Sequence, residues 1–176
     1  MRLKQYINEL SMKKGTKIKF ERDMNHLVLV EVVLEDDETF FIEFRREYVE
    51  DIFEIINKHD ESIIARAEKK GLVEYTQIKG TGSIAAWEIM FEDSAGEYGI
   101  SSKRKGAAIE LFAAIEQVTK RFIKSKKPEI LVFTSDIGEQ SRVKLYKLLA
   151  KKIKTGGYKE IQTNERGYSF FIFYNI

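Results

Sequence analysis

Residues 129–135 read EILVFTS, an unbroken apolar run set between two helical segments, and no other stretch constrains the fold as tightly. A strand with one wet face alternates apolar and polar residues. A strand-length run without alternation is buried on both faces. This segment is therefore expected in the middle of a sheet, with strands on its edges and cover on its faces. Pro128, the one proline of the chain, separates it from the helical pattern before it.

The flanking periodicities supply the cover. Lys105 to Lys124 has Ala108, Leu111, Phe112, Ile115, Val118 and Phe122 at helical spacing, with basic residues gathered at the C-terminal end, where the helix dipole favours them. Glu139 to Lys154 is a second helix, with Val143, Leu145, Tyr146, Leu148 and Leu149 as its apolar positions and TGG as its stop. YKEIQT, the turn NERG and YSFFIFYNI then make a terminal hairpin, whose last strand is apolar enough to need covering or pairing.

The N-terminal half reads differently. Arg2 to Met12 is a short amphipathic helix that Gly15 ends, and Lys17 to Arg46 alternates as a strand meander with an acidic turn, EDDE. Tyr48 to Lys70 returns to helical spacing, divided near NKHDES with Asp60 or Ser62 as a cap, and Gly71 stops it. IKGTGS is a loop, AAWEIMFED a strand, SAG a turn and EYGIS a short partner strand. The order gives an α+β, or mixed α/β, fold. One domain over 1–176 is expected, with residues 1–82 as an N-terminal part and 83–176 as the core.

Composition narrows the chemistry. The chain has no cysteine, so disulfides and thiolate chemistry are excluded. Its two histidines, His26 and His59, lie on different elements without ligand spacing, so no metal site is expected. No apolar run is long enough to span a bilayer, and the N-terminus lacks the pattern of a signal peptide. These features read as cytoplasmic, with no membrane partner. A net charge of +2 argues weakly for nucleic acid, although KRFIKSKK and LAKKIKTGGYK are basic.

One loop carries a chemical signal. SSKRKGAAIELF, Ser101 to Phe112, runs from a basic stretch through Gly106 into the helix. A helix N-terminus offers unpaired N–H groups and a positive dipole end, which suit a phosphate, and glycine lets the backbone approach it. The same residues also read as a solvated, lysine-rich helix start.

The chain from about Trp87 to Ile176 resembles the GNAT superfamily, the acyl-coenzyme A N-acyltransferases. That family has an Arg/Gln-x-x-Gly-x-Gly/Ala loop before its central helix; the matching residues here are Lys103, Arg104, Lys105, Gly106, Ala107 and Ala108, with Leu111 at the position of the helix leucine. Leu145-Tyr146 and Gly157-Tyr158 match two later signatures. The chain departs from the pattern at Lys103, at Arg104 where a glycine is common, at Glu139 where an asparagine is usual, and in its longer connection LLAKKIKTGGY. It is similar also to small GNAT-like proteins of bacteriophage genomes, which share a short N-terminal helix and an SRxKLY segment. The resemblance implies a central mixed, mostly antiparallel sheet flanked by helices, with two central parallel strands beside the Gly106 helix start and a β-hairpin at the end.

It also implies roles. Acetyl-CoA or another acyl-CoA would be the acyl donor, and a small-molecule or protein amine the acceptor. Backbone N–H groups from Arg104 to Ala108, beside Lys103, would take the pyrophosphate, and Tyr98 to Ser101, including Ile100, would meet the pantetheine arm. Tyr146 matches the tyrosine that protonates the leaving thiolate. The amine proton needs a carboxylate: Glu88, Glu92 and Glu97 are candidates, with Glu97 favoured for its nearness to the loop. Each has a plainer reading. Tyr146 fits a core position, the glutamates fit a wet sheet face, and Trp87 and the terminal aromatics fit packing. The alternative to an acyltransferase is a catalytically inactive GNAT-like fold used as a protein-interaction module, favoured by Arg104, Glu139 and the extended late helix. A homodimer through a paired sheet edge is a further expectation.

Overall fold

A strand meander opens the described part of the chain, as the alternation requires. The computed structural model describes residues 16–35, 37–93, 107–154 and 157–176. Strands β1 (Lys17–Asp23), β2 (Leu27–Val33) and β3 (Thr39–Val49) pair in antiparallel succession. Val28, Val30 and Val32 of β2 are fully buried, and Phe40, Ile42 and Phe44 of β3 pair with them, for example Val30 with Ile42. The register of β1 shifts between Phe20 and Arg22, a local bulge.

After β3 come α1 (Glu50–His59), α2 (Glu61–Lys69), β4 (Val73–Tyr75), β5 (Gly82–Asp93), α3 (Ala107–Lys126), β6 (Ile130–Asp136), α4 (Gln140–Lys154), β7 (Lys159–Glu165) and β8 (Tyr168–Tyr174). The fold is α+β with a mostly antiparallel open sheet, as expected. The chain forms two compact units, each discontinuous in sequence: residues 1–45 with 89–127, and residues 46–88 with 128–176. Strands β3 and β5 run through both. The expected helix over Arg2–Met12 and the strand EYGIS lie outside the described residues.

In the first unit the meander, the end of β5 (Ile89 and Phe91) and α3 supply the buried side chains. Leu111, Ile115, Val118 and Phe122 are buried as their spacing predicts, with Ala114 and Thr119 beside them; Phe112 is only half-buried. The rings of Phe44 and Phe122 stack with centroids 4.0 Å apart and planes 15° from parallel. Lys126 at the end of α3 reaches Asp23 of β1 at 2.6 Å.

In the second unit, β6 is the covered strand that EILVFTS predicts. It pairs in parallel with β5, through Trp87↔Leu131 and Glu88↔Val132, and antiparallel with β8 along its whole length. Ile130 and Val132 join a core with Ile52, Phe53 and Ile56 of α1, Ile63 and Ala67 of α2, and Phe170 and Ile172 of β8. The alternate residues face the other way, where Phe133 meets Tyr146 of α4 at 5.0 Å. Both faces are thus apolar because helices cover both.

Local chemistry fixes the joints. The Asp60 side chain accepts from the Ser62 N–H at 2.9 Å and caps α2, dividing the helical stretch where the sequence suggests. The terminal hairpin turns on Arg166 and Gly167 alone, both at positive φ, which matches the twist of its strands. The strand therefore continues through Asn164 and Glu165, which the sequence pattern assigns to the turn. Strand β4 has no clear sequence signal. It pairs with β5 and extends that strand back to Gly82, where a Cβ would lie 2.7 Å from the Glu74 carbonyl oxygen. The apolar strand β8 is paired on both edges, by β6 and β7. Among the described residues no helix is long and apolar enough to cross a membrane.

Two predictions follow from this packing. Phe122→Ala should destabilise the protein by about 3–5 kcal/mol, and a double-mutant cycle with Phe44→Ala should return about 0.5–1.5 kcal/mol for the ring pair; chemical denaturation measures both. The buried Tyr158 hydroxyl donates to the Pro128 carbonyl at 2.6 Å, and burial, aided by the Glu129 charge, pushes its pKa up to about 12. The fold therefore favours the neutral phenol, and its contribution is whole below the unfolded pKa near 10 and lost as pH rises towards about 12. Stability of wild type should fall more steeply across that window than stability of Tyr158→Phe.

Candidate functional site

A cleft of about 230 Å³ opens in the second unit beside the parallel strands. The pairing of Glu88 with Val132 places the glutamate on the face of the sheet that α1 covers. Thr134 follows two residues along β6, and Phe170 pairs with it from β8. Asp51 and Ile52 at the start of α1 line the cleft, as does Tyr168, which is half-exposed. Ile52, Ala86, Val132 and Phe170 make the surface largely apolar. The polar groups are the Asp51 and Glu88 carboxylates and the hydroxyls of Thr134 and Tyr168, and among the described residues no basic side chain lines the cleft.

The turn of the terminal hairpin is tied down next to this cleft. Arg166 pairs with Asp51 and lies 3.0 Å from Glu54, and Lys58 reaches Glu165 at 3.2 Å. Arg166 thus balances the charge of Asp51, and Glu88 brings a second carboxylate to the same cleft. A low-polarity pocket with carboxylates suits a cation, and an ammonium ion with an apolar body fits both features.

Tyr146 lies on the other face of β6. It is 2% exposed, with its ring against Phe133 and, at 5.9 Å, Phe171. Burial holds its hydroxyl well above the ordinary phenol range; Arg142 opposes the shift, and the Glu88 and Glu139 carboxylates add to it. Tyr146 is therefore a neutral hydroxyl near neutral pH, coupled electrostatically to the glutamate of the cleft. Glu139, at the position where the resemblance has asparagine, pairs with Arg142 at 2.7 Å at the start of α4.

Of the residues singled out in the sequence, the fold brings Tyr146 and Glu88 within electrostatic range of each other, on opposite faces of β6. Glu92 is half-buried on the part of β5 that belongs to the first unit. Ala107 and Ala108 are the first described residues of α3. Glu97, Ile100, Ser101, Lys103, Arg104, Lys105 and Gly106 lie outside the described residues. Trp87 is buried, in keeping with a packing role. Asp51, Thr134 and Tyr168 escape a reading of the sequence, because they come from three separate elements and none sits in a motif. Among the described residues no three histidine, aspartate or glutamate side chains cluster as a metal site would require. Comparison with protein-family models, curated proteins and solved structures finds no match to this chain.

Arg166→Asn keeps a residue that tolerates positive φ and removes both ion pairs. It should cost less than about 1 kcal/mol, because the pairs are solvent-exposed, and the difference from wild type should shrink as salt is raised. Denaturation at low and high ionic strength checks this.

Proposed function

We propose that the protein is an acyl-CoA-dependent N-acyltransferase acting on an amine. The observation that carries the reading is the parallel pairing of β5 with β6 across the connection that holds α3. It is followed by α4 with Leu145-Tyr146 and by a terminal hairpin whose last strand pairs with β6. Two central parallel strands and a terminal hairpin are what the sequence resemblance implies, and strand pairing is independent of the motifs that suggested it.

In this reading acyl-CoA supplies the activated acyl group. The described part of α3 begins at Ala107, directly after the basic stretch, and the unpaired N–H groups of a helix start in that stretch would suit a pyrophosphate. Lys103, Arg104, Lys105 and Gly106 would complete that grip. The acidic cleft holds the acceptor amine as its ammonium ion. Glu88 takes up the proton that the nitrogen must lose before it can act as a nucleophile, directly or through water. Glu97 is the other carboxylate for that role. Tyr146, on the opposite face of β6 from that cleft, is the tyrosine that the resemblance gives as proton donor to the departing thiolate.

A second reading, a GNAT-like fold that serves protein interaction without catalysis, draws on Tyr146 itself. Its ring is packed between Phe133 and Phe171, and a phenol raised well above its ordinary pKa is a poor acid towards a thiolate.

Calorimetric titration with acetyl-CoA and CoA separates the two. The acyltransferase reading expects a Kd on the order of 10 μM, abolished by Gly106→Glu, which adds bulk and negative charge at the loop. An amine screen should then show Tyr146→Phe and Glu88→Gln each slowed by about 100-fold. Absence of binding at millimolar ligand would overturn the proposal and leave the interaction module.

A further inference from the structure

A second cleft, about 400 Å³, lies in the same unit between the first half of α4 and the β7–β8 hairpin. Gln140, Val143 and Lys147 line it from the helix; their spacing places them on one side of α4. Gln162, Asn164, Ser169 and Phe171 line it from the hairpin. Their register, Gln162↔Phe171 and Asn164↔Ser169, puts all four on one face of the two strands. A helix packed on a sheet normally closes such a seam with apolar side chains. Further along α4, Leu149 and Ile153 are buried in that way. Here Gln140, Lys147, Gln162, Asn164 and Ser169 stand among the facing residues, with Val143 and Phe171, and the gap stays open.

The donors and acceptors in this cleft are unequal. The Asn164 carbonyl accepts from Ser169 at 2.9 Å, which leaves the Asn164 amide N–H groups to donate. The Gln140 amide nitrogen donates to the Ile137 carbonyl at 2.9 Å, which leaves one N–H and its own carbonyl. Lys147 makes no ion pair with any described residue. Among the described residues no carboxylate lines the cleft, so its described lining carries one positive charge and an excess of donors. An ammonium and amide N–H groups together suit an oxyanion, because hydrogen bonds to a charged acceptor are the stronger kind. The Gln162 amide nitrogen donates to Glu160, which leaves one N–H and its carbonyl; these, the free groups of the Gln140 amide and the acceptor side of the Ser169 hydroxyl suit hydroxyls, and the volume falls within the range of about 300–1,000 Å³ typical of small-molecule sites.

We infer that this cleft binds a small hydroxylated oxyanion, of the chemical class of a sugar acid or a sugar phosphate. Lys147 and Asn164 take the charged group, and the other amides take hydroxyls. The inference is independent of the acyltransferase reading, which uses the opposite charge in a different cleft.

Gluconate and glucose 6-phosphate are the probes, with glucose as the neutral control, titrated into the 15N-labelled full chain and followed through the side-chain amide signals of Gln140, Gln162 and Asn164. Binding of either anion with shifts at these amides, and at least about tenfold weaker binding of glucose, is the expected result; the anion preferred tells carboxylate from phosphate. Lys147→Gln should weaken the anion by about tenfold, and Asn164→Asp, which swaps donors for a negative charge, should abolish binding. Both residues are exposed, and unchanged melting temperatures would show that the variants are folded. No shift with either anion up to about 50 mM, equal binding of glucose, shifts confined to other residues, or folded variants that bind like wild type would each overturn the assignment.

Discussion

The burial of β6 on both faces is the constraint on which the second unit depends. A strand with Ile130, Leu131, Val132 and Phe133 all buried cannot exist with one face in water. It needs α1 and α2 on one side and α4 on the other, and a strand on each edge. Strand β8 repeats the demand, since Phe170 and Ile172 join the core under α1 and α2 while Phe171 and Phe173 face away from it. Two such strands side by side leave few places for polar side chains, which is why the polar groups of this unit collect at the rims.

The two clefts arise at those rims, and they differ in charge. One gathers Asp51 and Glu88 beside apolar walls; the other gathers carboxamides, hydroxyls and Lys147. The hairpin contributes to both, with Tyr168 on one side of the sheet and Ser169 on the other, so the alternation of β8 sorts adjacent residues into different chemistries. The tie between Arg166 and α1 fixes the end of the hairpin from which both residues project.

The candidate site was partly legible beforehand. Tyr146 and Glu88 stand out in sequence, one in a Leu-Tyr pair on a helix and the other on the strand before the basic loop. That they are coupled across β6, and that the tyrosine is sealed between two aromatic rings, depends on which strand faces pack together. Asp51, Thr134 and Tyr168 gave no signal, because nothing in their local sequence distinguishes them from a helix start, a strand residue and a strand end.

Sequence alone determined what rests on local physics. Periodicity gave the meander, the four described helices and β6, and the residue chemistry of Asp60 gave the division between α1 and α2. Hydrophobic alternation and capping act within a few residues, so a short window contains their cause. Tertiary structure decided the rest. Strand β4 is three residues long and is held by its pairing with β5, and β7 runs on to Glu165 because its partner strand continues there. The clefts and the state of the Tyr146 hydroxyl likewise come from residues distant in sequence, since burial and electrostatic coupling act through space rather than along the chain.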